Sequence, residues 1–596
     1  LEKRGAKVAF FVTQGFADLL RIGDQTRPDL FALEITKPEP LHEVVVEVPG
    51  RLDADGAEIC PLAIEEVISR ATVVLASGVD VACVALLHSY CAPTMEETLA
   101  ERLRQLGFRH VVTSAAASAR IHFGRRAETA LVDAYLLPIM DAYLNQVESG
   151  LGDEARLRVM TSAGGLVERA QFRAKDSLLS GPAGGVVGAA GAGRQVGWSQ
   201  VLAFDMGGTS TDVSRYAGEF LYQNEQRVGE ARLQGSALRI ETVAAGGGSI
   251  CFMDRGMLKV GPGSAGASPG PACYGAGGPL TLTDVHALLG RLDADHFAIP
   301  LDVSAANAAL NQFIEDHALN HESAEVYLEG FLRIANERMA NAIRVISLRE
   351  GHDPAEYALV AFGGAGGLHA CALADLLRID EVLIPRDAGI LSARGLQLAT
   401  LEFEDERLVM QPWAAIQEEV PAWIEERVKL ARLVLPEGVE RVVNVTGDFR
   451  FVGQESALTM PIHEGQDPCA AFRREYERIF GHEPGLDVEL VSLLVRAKEA
   501  PAAEVQESFA DVVRQVLGDD SRTQCVWCAG NWEKVPVMAR DALKEASCYA
   551  GPLLVGDGQC TLFIDVGWQI RVGDAGSLKL TRQASTLAEV EDRPAE

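Results

Sequence analysis

Asp205 and Asp212 flank Gly207, Gly208, Thr209, Ser210 and Thr211 in the stretch VLAFDMGGTSTDVS. A tight turn bared of side chains can cradle a phosphate with its backbone N–H groups. Paired carboxylates beside it can hold a hydrated magnesium ion that cancels the charge clash. The apolar run VLAF at 201–204 is of the kind buried on both faces of a sheet, and residues 209–213 read as the returning strand. In such a hairpin Asp205 lies roughly opposite Ser210, with Asp212 one diagonal step away. The same pattern also describes a plain glycine hairpin carrying two solvated acids.

A second glycine turn, Gly363, Gly364, Ala365, Gly366 and Gly367, follows a strand-like run at 358–362 and precedes a helical pattern at 368–377. A dinucleotide fingerprint needs a third glycine where His369 stands, and the Gly-Lys-Ser/Thr ending of a Walker loop occurs nowhere suitable. Residues 244–278 hold two glycine-dense pieces, AAGGGSI and GPGSAGASPGPACYGAGG, and read as a long loop region, functional or disordered. Thr283 and Asp284 begin a helix expected to run to Leu292, with Asp284 as an N-cap and His286 at the surface in its plainest interpretation. The segment SGPAGGVVGAAGA at 180–192 reads as a helix whose small side chains let another backbone approach closely; a flexible linker is the alternative.

The elements positioning these residues alternate between strand and helix. Strands are expected at 7–13, 43–48, 81–87 and 156–160. Helices are expected at 15–28 (short, with a loop), 64–70, 94–106 and 128–147, the last interrupted at Pro138. A long amphipathic helix spans about 329–350 and stops at Gly351. From Glu402 the pattern turns to alternating strands, including 442–451, 457–461, 553–555 and 561–564, and a charged end, 589–596, is expected to fray.

At 596 residues the chain is long enough for roughly three or four domains. With 54 Lys and Arg against 84 Asp and Glu, its net charge of −30 repels nucleic acid and anionic membrane surfaces. Phosphate must then be bound by local N–H groups and metal. No apolar run approaches the length that spans a bilayer, and no leader pattern opens the chain, so a soluble cytoplasmic protein is expected. Eleven scattered cysteines suit reduced thiols, and the pair Cys525 and Cys528 lacks the second pair a zinc site needs.

Five motifs in order resemble the hydantoinase A / oxoprolinase family: SGPAGGVVGA at 180–189, DMGGTSTDVS at 205–214, AGGGSI at 245–250, GASPGPACYG at 266–275 and FGGAGGLHA at 362–370. The similarity runs over nearly the whole chain. It implies an α/β, actin-like (ribonuclease-H-like) ATPase core of two lobes plus a β-rich carboxy-terminal domain. The corresponding boundaries are 1–178 for the remainder of an amino-terminal lobe, 179–400 for the ATPase lobe and 401–596 for the last domain. The resemblance assigns residues 205–212 to a phosphate loop, with Asp205 and Asp212 catalytic and holding magnesium through water. It assigns Gly363, Gly364, Ala365 and Gly366 to an adenosine loop and residues 180–189 to a connecting helix.

Gly246, Gly247, Gly248, Asp284 and His286 are candidates for the substrate side. ATP and magnesium are the implied cofactors, and the implied reaction is hydrolysis of a cyclic amide (hydantoin, oxoproline or a related lactam) after phosphoryl activation of its carbonyl. An oligomer with a B-type subunit is implied, with neither nucleic acid nor membrane as a partner. The alternatives are the ATP-handling subunit of an acetone or acetophenone carboxylase and a non-catalytic nucleotide-binding protein. Members also begin with another Asp-x-Gly-Gly-Thr loop, which nothing before Lys7 matches, so the opening segment of a typical member is expected to be missing. Smaller departures are Met95 where the family usually has His, Ala163 where it has Asn, and Gly367 where it has Pro.

Overall fold

The computed structural model describes residues 4–24, 31, 33–35, 37–152, 155–297, 299–319, 322–436, 440–500, 506–509, 513–514 and 522–583. The charged end at 589–596 and part of the expected loop at 15–28 lie outside the described residues. The chain divides into two compact units, one of residues 1–180, 222–237 and 399–501, the other of 181–221, 238–398 and 502–596.

The first unit contains a four-stranded parallel sheet in the order His42–Val48, Val8–Thr13, Val81–Ala85, His110–Thr113. Parallel strands need crossovers, and here helices cover both faces, so the central strands read as unbroken apolar runs (VAFFVT, VACVA). Ile64–Ala76 and Thr94–Leu106 pack on one face through Val67, Ala71, Leu99 and Leu103. Phe123–Leu151 packs on the other through Ala127, Ala130 and Leu131. This helix passes through Pro138 without a break, contrary to the expected interruption. Its buried contacts from Arg126 to Ala134 fix the turns ahead of the proline, and tertiary packing outweighs the one lost hydrogen bond. The unit also holds an antiparallel sheet, Glu402–Pro412, Val488–Glu499, Arg441–Phe451, Leu458–Pro461, one face of which carries an aromatic core of Phe449, Phe451, Phe472 and Tyr476.

The second unit is built on a nine-stranded mixed sheet. Its order is Glu241–Val243, Thr211–Ala217, Gln200–Met206, Ala358–Phe362, Glu381–Ile384, Leu578–Arg582, Trp568–Val572, Ser547–Ala550, Val513–Arg514. Ser180–Gln195, Ala324–Ile346 and Gly366–Leu377 pack against it around Phe204, Phe331, Leu359 and Ile343. The expected single domain over 401–596 is thus divided: residues 399–501 belong to the first unit and 502–596 to the second. The reason is the strand Leu578–Arg582, whose alternating Leu578 and Leu580 are buried as it pairs antiparallel with Glu381–Ile384. The glycine-dense stretch at 244–278 is likewise no plain loop, because it contains the hairpin Ser249–Asp254 and Met257–Ser264.

Candidate phosphate and magnesium site

Gln200–Met206 and Thr211–Ala217 pair antiparallel with Asp205 directly opposite Asp212. The expected register, Asp205 against Ser210, is therefore corrected. Thr211 is the first residue to rejoin the sheet, opposite Met206, and its buried hydroxyl donates to the Ala245 carbonyl at 2.5 Å. Thr209 and Ser210 consequently stay in the turn with Gly207 and Gly208, and the turn is closed by the Gly207 N–H donating to the Ser210 carbonyl at 3.1 Å. Among the described residues the N–H groups of Gly208, Thr209 and Ser210 make no hydrogen bond, and a Cβ added at Gly208 would meet nothing within 4 Å. Three unengaged donors thus lie in the turn beside two carboxylates, with open space at Gly208.

Residues directly opposite on an antiparallel pair share a face, where like charges repel. Burial, then the Asp212 charge, pushes the Asp205 carboxyl up to about 6, and burial raises that of Asp212. One hydroxyl serves each acid. Ser392 Oγ donates to Asp205 Oδ2 at 3.3 Å, and Thr242 Oγ1 donates to Asp212 Oδ1 at 2.5 Å. Among the described residues neither acid has an ion-pair partner. A half-buried, uncompensated carboxylate pair fits a divalent cation, and its small ligand number suits magnesium, which keeps several waters and shares its remaining positions with phosphate oxygens. Among the described residues no group of three or more His, Cys, Asp or Glu is placed to hold a metal. Cys525 is exposed and Cys528 buried on one strand, so the two thiols do not converge.

The second glycine turn reaches the same place. Ala358–Phe362 runs parallel to Gln200–Met206, with Phe362 beside Asp205, so both glycine turns leave the sheet at one end. Gly363 has φ +80, and a Cβ there would stand 2.5 Å from Asp205 Oδ1 and from the Met206 carbonyl. The Ala365 N–H donates to that same carbonyl at 3.1 Å. Only Gly364 is open, its nearest neighbour being the Gln559 carbonyl at 3.7 Å from an added Cβ, while Gly366 is buried at the start of Gly366–Leu377.

Gly246, Gly247 and Gly248 form a backing layer for the phosphate turn. The Gly247 and Gly248 N–H groups donate to the carbonyls of Gly207 and Gly208 at 3.0 and 2.6 Å, and a Cβ on Gly246 would lie 2.7 Å from backbone atoms of Thr209 and Ser210. Asp284 and His286 are both engaged inside the protein. Asp284 is the third residue of a capping box whose N-cap is Thr281, in a helix Leu282–Leu288 shorter than expected. Its fully buried carboxylate accepts from Ala272 N, Cys273 N, Thr281 N and Thr281 Oγ1 at 2.6–3.1 Å, which fills it and pins the GPACYG loop. His286 is buried as well, its Nε2 3.1 Å from His369 Nε2, while His369 Nδ1 meets Asn336 Oδ1 at 2.6 Å. Thr242 and Ser392 were not legible beforehand: single hydroxyls 30 and 187 residues from their acids carry no local signal.

The sequence model of the hydantoinase/oxoprolinase family matches residues 126–405, and that of the hydantoinase/oxoprolinase N-terminal region matches residues 1–107. The 5-oxoprolinase PfmaA of Pestalotiopsis fici is 33% identical over 95% of this chain and 48% of its own length. The chain spans about half the length of the 5-oxoprolinases it matches. The crystal structure of ATP-dependent caprolactamase from Pseudomonas jessenii superposes with a TM-score of 0.84 at 25% identity, covering 98% of this chain and 89% of that one. Nucleotide-free acetone carboxylase shares the fold, with a TM-score of 0.75 at 21% identity over 98% of this chain and 89% of that one. Among the described residues no helix is long and apolar enough to cross a membrane.

Proposed function

Because the chain belongs to the hydantoinase/oxoprolinase family, we propose that it is the ATP-handling part of an enzyme that hydrolyses a cyclic amide, with magnesium and ATP bound at the Asp205–Asp212 turn. The observation that carries this reading is the carboxylate pair facing three unengaged turn N–H groups at the end of the sheet where a second glycine turn also emerges. The order of the first five strands of that sheet supports an actin-like core. Counted along the chain from Gln200–Met206, they lie third, second, first, fourth, fifth, and only the second runs antiparallel to the others.

Magnesium-ATP, when bound, supplies the phosphoryl group that makes an amide oxygen a leaving group and the ring carbon open to water. Asp205 and Asp212 would hold the cation through water, and Thr242 and Ser392 would keep their oxygens turned toward it. The N–H groups of Gly208, Thr209 and Ser210 would donate to phosphate oxygens without reorganising, which is where preorganised electrostatics lowers the barrier. Gly364 would leave room for the adenosine. Hydrolysis in this reading involves a B-type subunit or domain, a role supported by the relative named caprolactamase subunit alpha.

The test is phosphate release by the whole protein with its B-type partner, given hydantoin, 5-oxoproline and ε-caprolactam, or acetone with bicarbonate. Release dependent on a cyclic amide is expected. Release dependent only on ketone and bicarbonate would move the assignment to the carboxylase alternative, with which this chain shares its fold.

A further inference from the structure

The parallel sheet of the first unit has a topological switch between its two central strands. The chain leaving Val8–Thr13 turns onto one face, where Phe16, Leu19 and Leu20 pack beside Phe123–Leu151. The chain leaving Val81–Ala85 crosses the opposite face through Thr94–Leu106. Where neighbouring parallel strands send their connections to opposite faces, a crevice opens at their carboxyl ends, and that is where open α/β sheets take small ligands.

The loops flanking this crevice are built at unusual expense. His88 has φ 62, a left-handed conformation that a non-glycine residue keeps only when its surroundings impose it. Two fully buried, opposite charges do so. Glu96 accepts from Leu86 N at 2.6 Å, from Ala115 N at 2.9 Å, and from the hydroxyls of Ser89 and Ser114 at 2.8 and 2.7 Å. Arg126 donates to the Leu86 carbonyl at 2.8 Å and to those same hydroxyls at 3.1 and 2.9 Å. Across the switch, the Leu87 N–H donates to Thr13 Oγ1 at 2.8 Å, clamping the two strand ends together. Buried charges stabilise a fold poorly compared with apolar packing, so a network of this kind is better explained by what it holds in place.

It holds a half-exposed imidazole. Burial and the Arg126 charge keep His88 below the usual histidine range, hence neutral. Its buried Nδ1 has no hydrogen-bond partner among the described residues. An N–H without an acceptor is costly inside protein, so the proton belongs on Nε2, which becomes a donor. On the facing loop Gln14 and Gly15 are exposed. We propose that the crevice between the loops after Val8–Thr13 and Val81–Ala85 binds the ring of a small cyclic amide, with His88 Nε2 donating to its carbonyl. This rests on the reaction class proposed above.

The test is calorimetric titration of ε-caprolactam, hydantoin and 5-oxoproline into the protein with a non-hydrolysable ATP analogue, comparing wild type with His88→Gly and His88→Asn. Glycine relieves the left-handed backbone, so His88→Gly should keep or raise Tm while the affinity for the responding ring falls at least tenfold. Asn also tolerates that backbone and offers an N–H, so it should recover part of the affinity. Unchanged ring affinity and unchanged amide-dependent phosphate release in His88→Gly would overturn the crevice while leaving the reaction class standing. No amide-dependent release in wild type would overturn the reaction class, and the crevice proposal with it.

Discussion

Asp205 and Asp212 face each other across the antiparallel pair that frames the phosphate turn, and among the described residues the only groups donating to them are two hydroxyls, from Ser392 and Thr242. Without a bound cation the pair is therefore a liability to the fold. A carboxyl raised from 3.8 to about 6 carries a penalty of up to about 3 kcal/mol once it is ionised in both folded and unfolded states.

This penalty has a definite pH window. Below the unfolded value of 3.8 Asp205 is protonated in both states and costs nothing; between there and about 6 only the unfolded chain ionises, and stability is lost as pH rises. With divalent cations chelated, Asp205→Asn should raise Tm at pH 7.5, and the gain should vanish below pH ~4. A variant no more stable than wild type at pH 7.5 would show that the pair is not under strain. Thermal melts across pH provide the check.

The two exposed-looking glycines of the second turn should behave oppositely. Gly363→Ala places a methyl group against Asp205 Oδ1 and the Met206 carbonyl on a left-handed backbone, and should destabilise the protein by about 1–3 kcal/mol. Gly364→Val enters open space and should leave Tm unchanged while weakening ATP binding. Denaturant melts paired with nucleotide titrations separate these outcomes.

The crossing of Ser180–Gln195 with Leu391–Leu398 depends on absent side chains. A Cβ at Gly395 would lie 1.8 Å from the Gly184 carbonyl, and one at Gly188 2.6 Å from that of Leu391. Gly395→Ala should cost at least about 3 kcal/mol and, by moving Ser392, alter the magnesium requirement of nucleotide binding in whatever folded protein remains. Urea titration and a magnesium series on the purified variant test both effects.

His369 should contribute acid sensitivity. Burial, aided by the Arg291 charge, lowers it from 6.5 to about 3 in the fold, so the unfolded chain takes up a proton first and stability falls as pH drops from 6.5 toward 3. His369→Gln should be less stable than wild type at pH 7, having lost its bond to Asn336, yet lose less stability between pH 6.5 and 4. Parallel pH profiles for the two proteins would contradict this.

Much of the fold was legible because the central strands are unbroken apolar runs and the glycine turns stand at their ends. Residues 201–204 and 358–362 could be placed in a buried sheet from pattern alone. Their being neighbours could not, since pairing between strands over 150 residues apart leaves no local trace. The hairpin register failed by the length of the turn, as nothing in TSTDV shows that Thr211 is the first to pair. Asp284 and His286 looked available because helix caps and surface histidines share their sequence context with ligand groups; only the surrounding N–H donors and the second histidine reveal their commitments. The carboxy-terminal strands were recognisable as strands, but their division between two units depends on partners far away in sequence.

The most direct measurement is calorimetric titration of ATP, with and without magnesium, into wild type, Asp205→Asn and Asp212→Asn at pH 7.5, each shown folded by its melting curve. The account predicts magnesium-dependent binding in wild type and a loss of at least tenfold in affinity, together with the magnesium dependence, in both variants. Affinity and magnesium dependence unchanged by either substitution would contradict it.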